Sequence, residues 1–172
     1  MDNISEQLVK INKTSKEYFL LGTIWVVTFC LVFFFVLYGL RGSLFSSLSF
    51  LIAIGVIFGA YKLSKLLNVE YEYIVVNRDL DIDKITAQSS RKRIVSIKLN
   101  EVLDFGEFTS SKAQALANRH FDEKFICCNA NDKAHYLTYK HPKKGMVLLI
   151  IAMNERTKAE ALKSIPRTVI SK

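Results

Sequence analysis

The 172-residue chain is poor in the residues that cross-link, bend or catalyse: three cysteines, two prolines and three histidines. Cys30 lies in an apolar stretch, while Cys127 and Cys128 are adjacent and would diverge to opposite faces of a strand. No disulfide framework follows, which fits a reducing compartment. Charge is missing from residues 18–61 except at Arg41. Catalytic signatures are missing too: G-x-S-x-G, the P-loop, G-x-G-x-x-G and H-E-x-x-H do not occur. The expectation is a binding protein without a cofactor rather than an enzyme.

Hydrophobic residues are abundant, half of the chain, and unevenly spread. Residues 18–40 are uncharged, as are residues 42–61. As helices they reach about 34 and 30 Å, enough to cross a bilayer. Both are apolar all round, and a domain this small could not enclose them. The first is too long for a signal-peptide core, and no A-x-A site follows. The short link Gly39–Gly42 forces an antiparallel hairpin. Lys10, Lys13 and Lys16 precede the spans, and Lys62 and Lys65 follow them. The positive-inside rule then puts both termini in the cytoplasm of a cell whose inner membrane holds the spans. In the second span, Gly55-x-x-x-Gly59 is a small-residue packing motif. It serves either the hairpin or a homodimer.

The expected domains are a cytosolic segment at 1–17, the hairpin at 18–65, and a cytosolic domain at 66–172. Ile4, Leu8 and Ile11 fall at helical spacing, so the first segment reads as an amphipathic surface helix or the start of the first span. After Asn68, alternation dominates. Tyr71, Tyr73 and Val75 share a face, as do Leu80 and Ile82, and Val95, Ile97 and Leu99. Turns are expected at residues 77–79 and around Ser89–Ser90. A fourth, bent strand spans 102–108 with Gly106 as its bulge. A short helix at 111–119 follows, capped by Ser110 or Ser111, then strands at 122–128 and 135–140. Met146 to Met153 reads as a buried central strand. Asn154 caps a last helix that stops before Pro166.

That order resembles the pleckstrin-homology-like (PH-like) fold, a seven-stranded antiparallel barrel with a C-terminal capping helix. The chain is thus expected to be a membrane-anchored α+β protein. E-Y-E-Y at 70–73, L-D-I-D-K-I at 80–85, R-K-R at 91–93 and I-P-R at 165–167 resemble an uncharacterised Firmicutes family of two-span membrane proteins, a domain of unknown function. The resemblance implies no known activity. Relatives carry glycine at position 78, where this chain has Arg78, which questions the turn type there.

Asp79-x-Asp81-x-Asp83 fails as a calcium loop, because Lys84 and Ser90 stand where Gly and Glu are needed. It reads as a solvated strand face. His120, Cys127, Cys128, His135 and His141 lack zinc-site spacing, so the thiols read as core residues and no metal is expected. Arg91, Lys92 and Arg93 form the densest basic cluster, and Lys140, Lys143 and Lys144 surround one turn. Either cluster could meet anionic headgroups beside a bilayer, or be ordinary solvated turns. Net charge is +8. With two apolar segments present, that balance favours a membrane surface over nucleic acid. The function expected is a tethered binding or scaffolding module for lipid or an unknown protein partner. The alternatives are a structural subunit assembled through the second span and, less favoured, a lipid-processing enzyme.

Overall fold

The computed structural model describes residues 4–42 and 46–170, which form two compact units.

One unit is a pair of helices, α1 (Ser15–Gly39) and α2 (Ser46–Leu66). Thr14-x-x-Glu17 starts the first as a capping box, with the Thr14 N–H donating to the Glu17 carboxylate at 2.6 Å. Thr23 and Thr28 donate to the carbonyls of Phe19 and Ile24 at 3.0 and 2.7 Å, so these hydroxyls are satisfied within the helix. Both helices are long and apolar enough to cross a membrane. Only 6% and 17% of their most apolar stretches are buried, so neither is a core helix enclosed by the described chain. The expected spans, 18–40 and 42–61, fall largely within these two helices, and Ser43, Leu44 and Phe45 lie outside the described residues.

Small side chains do line the helix contact: Thr28 and Gly39 on α1, and Ser49, Ala53 and Ala60 on α2, are buried. A Cβ on Gly39 would stand 3.0 Å from the Phe50 ring. Gly55 and Gly59 are elsewhere. A Cβ at either would meet nothing within 4 Å, so they do not pack the hairpin.

The second unit holds two four-stranded sheets. The first runs β1 (Ile4–Lys10), β2 (Val69–Val76), β3 (Asp79–Thr86) and β4 (Ser90–Lys98), in that order. The second comprises β5 (Val102–Glu107), β6 (Glu123–Ile126), β7 (His135–His141) and β8 (Gly145–Ile151), in the order β5-β7-β8-β6. Helix α3 (Ser110–Ala117) follows β5, and α4 (Glu155–Leu162) follows β8. Three expectations fail here. Among the described residues there are eight strands rather than seven. They form two separate sheets rather than a closed barrel. They are not all antiparallel, since β6 pairs with β8 in parallel.

The extra strand is β1. The Ile4, Leu8, Ile11 spacing suggests a helix, yet Ser5 and Gln7 face inward and Glu6 and Lys10 outward. Ser5 is 1% exposed and hydrogen-bonds Thr157 at 3.0 Å, while Ile4 and Leu8 are each 49% exposed. The Gln7 amide donates to the Ala152 carbonyl and accepts from Asn154 N–H, both at 2.8 Å. Lys10 opposite Glu70 ends the β1–β2 register.

The alternating positions behave as expected: Tyr73, Val75, Leu80, Ile82, Val95 and Ile97 are all at most 6% exposed. They share one core with Leu137, Leu149 and Ile151 of the second sheet and with Ala161 beside Leu162 on α4. A second cluster, Leu116, Phe121, Tyr136, Leu148 and Ile150, covers the other face of the second sheet. Burial on both faces explains the unbroken apolar run of β8. The Asn154 cap is real, its carbonyl oxygen accepting from Thr157 N–H at 2.7 Å. Local details shift. Asn77 takes the positive φ of 56°, so position 78 tolerates arginine without strain. Ala87 and Gln88 form the next turn at φ 56° and 57°, just before Ser89–Ser90. The β5 irregularity falls between Val102 and Asp104 rather than at Gly106, and Thr109 is the N-cap of α3.

Candidate functional site

His135 opens β7 opposite Glu107 of β5. It is 5% exposed, and its ring stacks on Phe105 with centroids 5.9 Å apart and planes 5° from parallel. Neither ring nitrogen has a hydrogen-bond partner among the described residues. A neutral imidazole carries one donor and one acceptor, and burying each unpaired costs about 1–3 kcal/mol. Burial, reinforced by nearby Lys158, pushes the His135 pKa down, against an upward pull from Glu107 and Glu155. The ring is therefore neutral at physiological pH.

Two cavities meet at this histidine. One, of about 380 Å³, is walled by Phe105, Leu162 and Ile170, with Lys112, Lys158 and Glu107 supplying charge. The other, of about 610 Å³, shares Glu107, Thr109, His135 and Lys158 and extends toward Asp132, Lys133 and Glu155. Both volumes fall in the range of small-ligand sites. Lys158 lies 3.6 Å from Glu107. The cleft is thus built from β5, the start of α3, β7 and α4. It offers apolar area, two or three ammonium groups, and a buried neutral imidazole. Among the described residues nothing orients that imidazole as a base, and no hydroxyl or thiol hydrogen-bonds it. The Thr109 hydroxyl is engaged with Ser111 at 3.1 Å.

Cys127 and Cys128 pack with the core clusters. Cys127 is 1% exposed, and burial, helped by Cys128, raises its pKa to about 12. Burial and then Asp132 raise that of Cys128 to about 11. Both stay protonated, and thiols rather than thiolates are poor nucleophiles and ligands. The Tyr73 hydroxyl donates to the Cys127 carbonyl at 2.5 Å.

The structure places the two basic clusters on different sheets and engages half of their charges. Arg91 pairs with Glu72 and approaches Asp83 at 3.9 Å. Arg93 contacts Asp81 at 2.8 Å and Asp83 at 2.9 Å. The acidic stripe at 79–83 is thus largely an internal counter-charge, not a solvated face: the Asp83 side chain is only 5% exposed. Lys144 binds Glu123 at 2.8 Å, with its ammonium 4.9 Å from the Phe125 ring centroid. Lys92, Lys140 and Lys143 are exposed and have no ion pair among the described residues. None of the six borders the cleft at His135.

Sequence reasoning weighed His135 only as a zinc ligand and passed over Glu107, Lys112 and Lys158. These residues come from four elements and carry no common spacing. The one available signal was a histidine at the head of a strand otherwise rich in core positions.

A family model described as Bacterial PH-like domain (DUF6106) matches residues 1–171. No curated protein and no solved structure gives a significant match.

Proposed function

We infer the function from one premise: the chain belongs to the bacterial PH-like domain family. We propose that it is a membrane-tethered binding module whose ligand occupies the cleft beside His135. The helices α1 and α2 serve as the tether. The lysines at 10, 13, 16, 62 and 65, against the single Arg41 at the hairpin, favour an inner-membrane protein with both termini in the cytoplasm. Tethering raises the effective concentration of the module for anything in or at the bilayer.

The observation that carries the reading is the unpartnered imidazole of His135 at the junction of two cavities. A buried polar group left unpaired beside a roomy cleft suits a ligand that completes it. Binding is favoured over catalysis because, among the described residues, the ring has no orienting partner and no hydroxyl or thiol hydrogen-bonded to it. The ammonium groups of Lys92, Lys140 and Lys143 remain available to anionic headgroups, each contributing about 1 kcal/mol near a membrane surface.

The test is a thermal-shift panel of small molecules on the full chain in nanodiscs. Compounds that stabilise the wild type through the cleft should fail on Leu162→Trp, which fills the smaller cavity. A panel without any such compound would refute the reading.

A second reading, a subunit of a membrane complex, draws on Gly55 and Gly59. Their open face would let another helix approach closely. Gly55→Leu should then change the cross-linking pattern in membranes without altering the fold. An unchanged pattern would count against it.

A further inference from the structure

Resting on that binding reading, we propose that the smaller cavity beside His135 is the site for a single-chain anionic amphiphile: an apolar tail ending in a carboxylate or phosphate. Its wall of Phe105, Leu162 and Ile170 is apolar, while two lysines face one glutamate. A ligand entering it gains from burying a tail, and its head meets the ammonium groups of Lys112 and of Lys158, the latter 3.6 Å from Glu107. Lys158 is held close, its side chain only 24% exposed, so its charge is less screened than that of a surface lysine. The neutral imidazole adds one N–H that an anion can accept from and that no described residue uses.

Size sets the tail. A cavity of about 150 Å³ holds a benzene-sized group. At about 380 Å³, this one suits a chain of roughly ten carbons with its head. A sugar or nucleotide would need more hydrogen-bonding groups than three apolar walls provide. An extended peptide would need the free edge of β5, but Ile170 already bridges Phe105 there in parallel, so the chain's own C-terminal stretch stands in the way. The cavity also shares no lining residue with Arg91 and Arg93, whose charge is spent on Glu72, Asp81 and Asp83.

The experiment uses the full chain in phosphatidylcholine nanodiscs with isotope-labelled histidine, observed by NMR. Decanoate, decyl phosphate, decanol and acetate are added in turn. The expected result is saturable movement of the His135 ring signals with decanoate or decyl phosphate, while those of His120 and His141 stay in place. Decanol and acetate should leave His135 unmoved at equal concentration, because one lacks the charge and the other the tail. The relative strength of the two anions distinguishes a fatty-acid source from a phospholipid-like one. Leu162→Trp should weaken the response at least tenfold, and Lys112→Glu, at the half-buried rim, should do the same without filling the core. Silence of His135, an equal response to decanol, or variants that respond like the wild type would overturn the proposal. So would a response to an apolar peptide amide with none to decanoate. If other compounds stabilise the wild type but not Leu162→Trp while decanoate is silent, the ligand class is wrong and the binding reading survives.

Discussion

Ser5 and Thr157 share a buried hydrogen bond of 3.0 Å although 152 residues separate them. The bond fastens the first strand to the last α-helix, whose Lys158 and Leu162 line the cleft. Ser5→Ala leaves the buried Thr157 hydroxyl without this partner and should destabilise by about 1–2 kcal/mol. Ser5→Ala with Thr157→Val should cost less than the sum of the two single changes, because both partners are then removed. Thermal unfolding of the full chain in nanodiscs measures the coupling.

Since β1 is part of the first sheet, residues 66–172 alone should be a poor domain. Lys10 stands opposite Glu70, so an Asn-Gly pair joining them supplies the two-residue loop that antiparallel strands favour. Residues 4–10 joined in this way to 70–172 should give a soluble, monomeric, cooperatively folding protein. Gel filtration and circular dichroism check it. If the fragment 66–172 matched it in stability, β1 would not be integral to the fold.

Arg93 and Lys92 are neighbours with opposite expected consequences. Arg93 serves Asp81 and the nearly buried Asp83, whereas Lys92 projects into solvent. Arg93→Glu should lower the melting temperature clearly, and Lys92→Glu should leave it almost unchanged. Vesicle sedimentation of the same two variants separates a structural role from a lipid-contacting one.

Gly145 holds φ at +71°, and a Cβ there would stand 2.1 Å from an Asp122 carboxylate oxygen. That oxygen accepts from Met146 N–H at 2.8 Å, closing the start of β8. Gly145→Ala combines left-handed backbone strain with displacement of this bond and should cost about 2–3 kcal/mol. Replacement of Gly55, at an open helix surface, should not unfold the molecule. Thermal unfolding of both variants settles the contrast.

Because burial holds the His135 pKa below its ordinary value, the folded chain binds this proton less readily than the unfolded chain. The stability it confers is complete above the unfolded pKa, about 6.5, and is lost as pH falls below it. Lys158 strengthens the effect, and Glu107 and Glu155 oppose it. Below about pH 6.5, stability should fall as the pH falls, until the lowered folded-state pKa of this residue is passed. His135→Phe should flatten the profile. An unchanged profile would mean that other groups dominate.

Much of the fold was legible because it is written locally. Tyr73–Val75, Leu80–Ile82 and Val95–Ile97 alternate in sequence and alternate in burial. Asn154 caps α4 through a contact three residues away. Residues 4–10 misled because their apolar spacing fits a helix, while Ser5 and Gln7 join Val9 on the inward face. Ser5 and Gln7 can face inward only because Thr157, Ala152 and Asn154 await them. The basic cluster at 91–93 misled for a related reason. A run of cations looks available until the strands opposite are known to carry Glu72, Asp81 and Asp83.

The sequence by itself determined two apolar helices of membrane-crossing length, the alternating strands that follow them, and the capped helix at the end. Each rests on neighbours a few positions apart, where side-chain periodicity and capping chemistry act. The tertiary structure alone decided that the N-terminal stretch completes a sheet and that two sheets form where a closed barrel was expected. It alone turned three arginine-facing acids into counter-charges and brought Glu107, Lys112, His135 and Lys158 to one cleft. Those outcomes depend on which distant backbones pair and which buried polar groups find partners, and no local pattern encodes that.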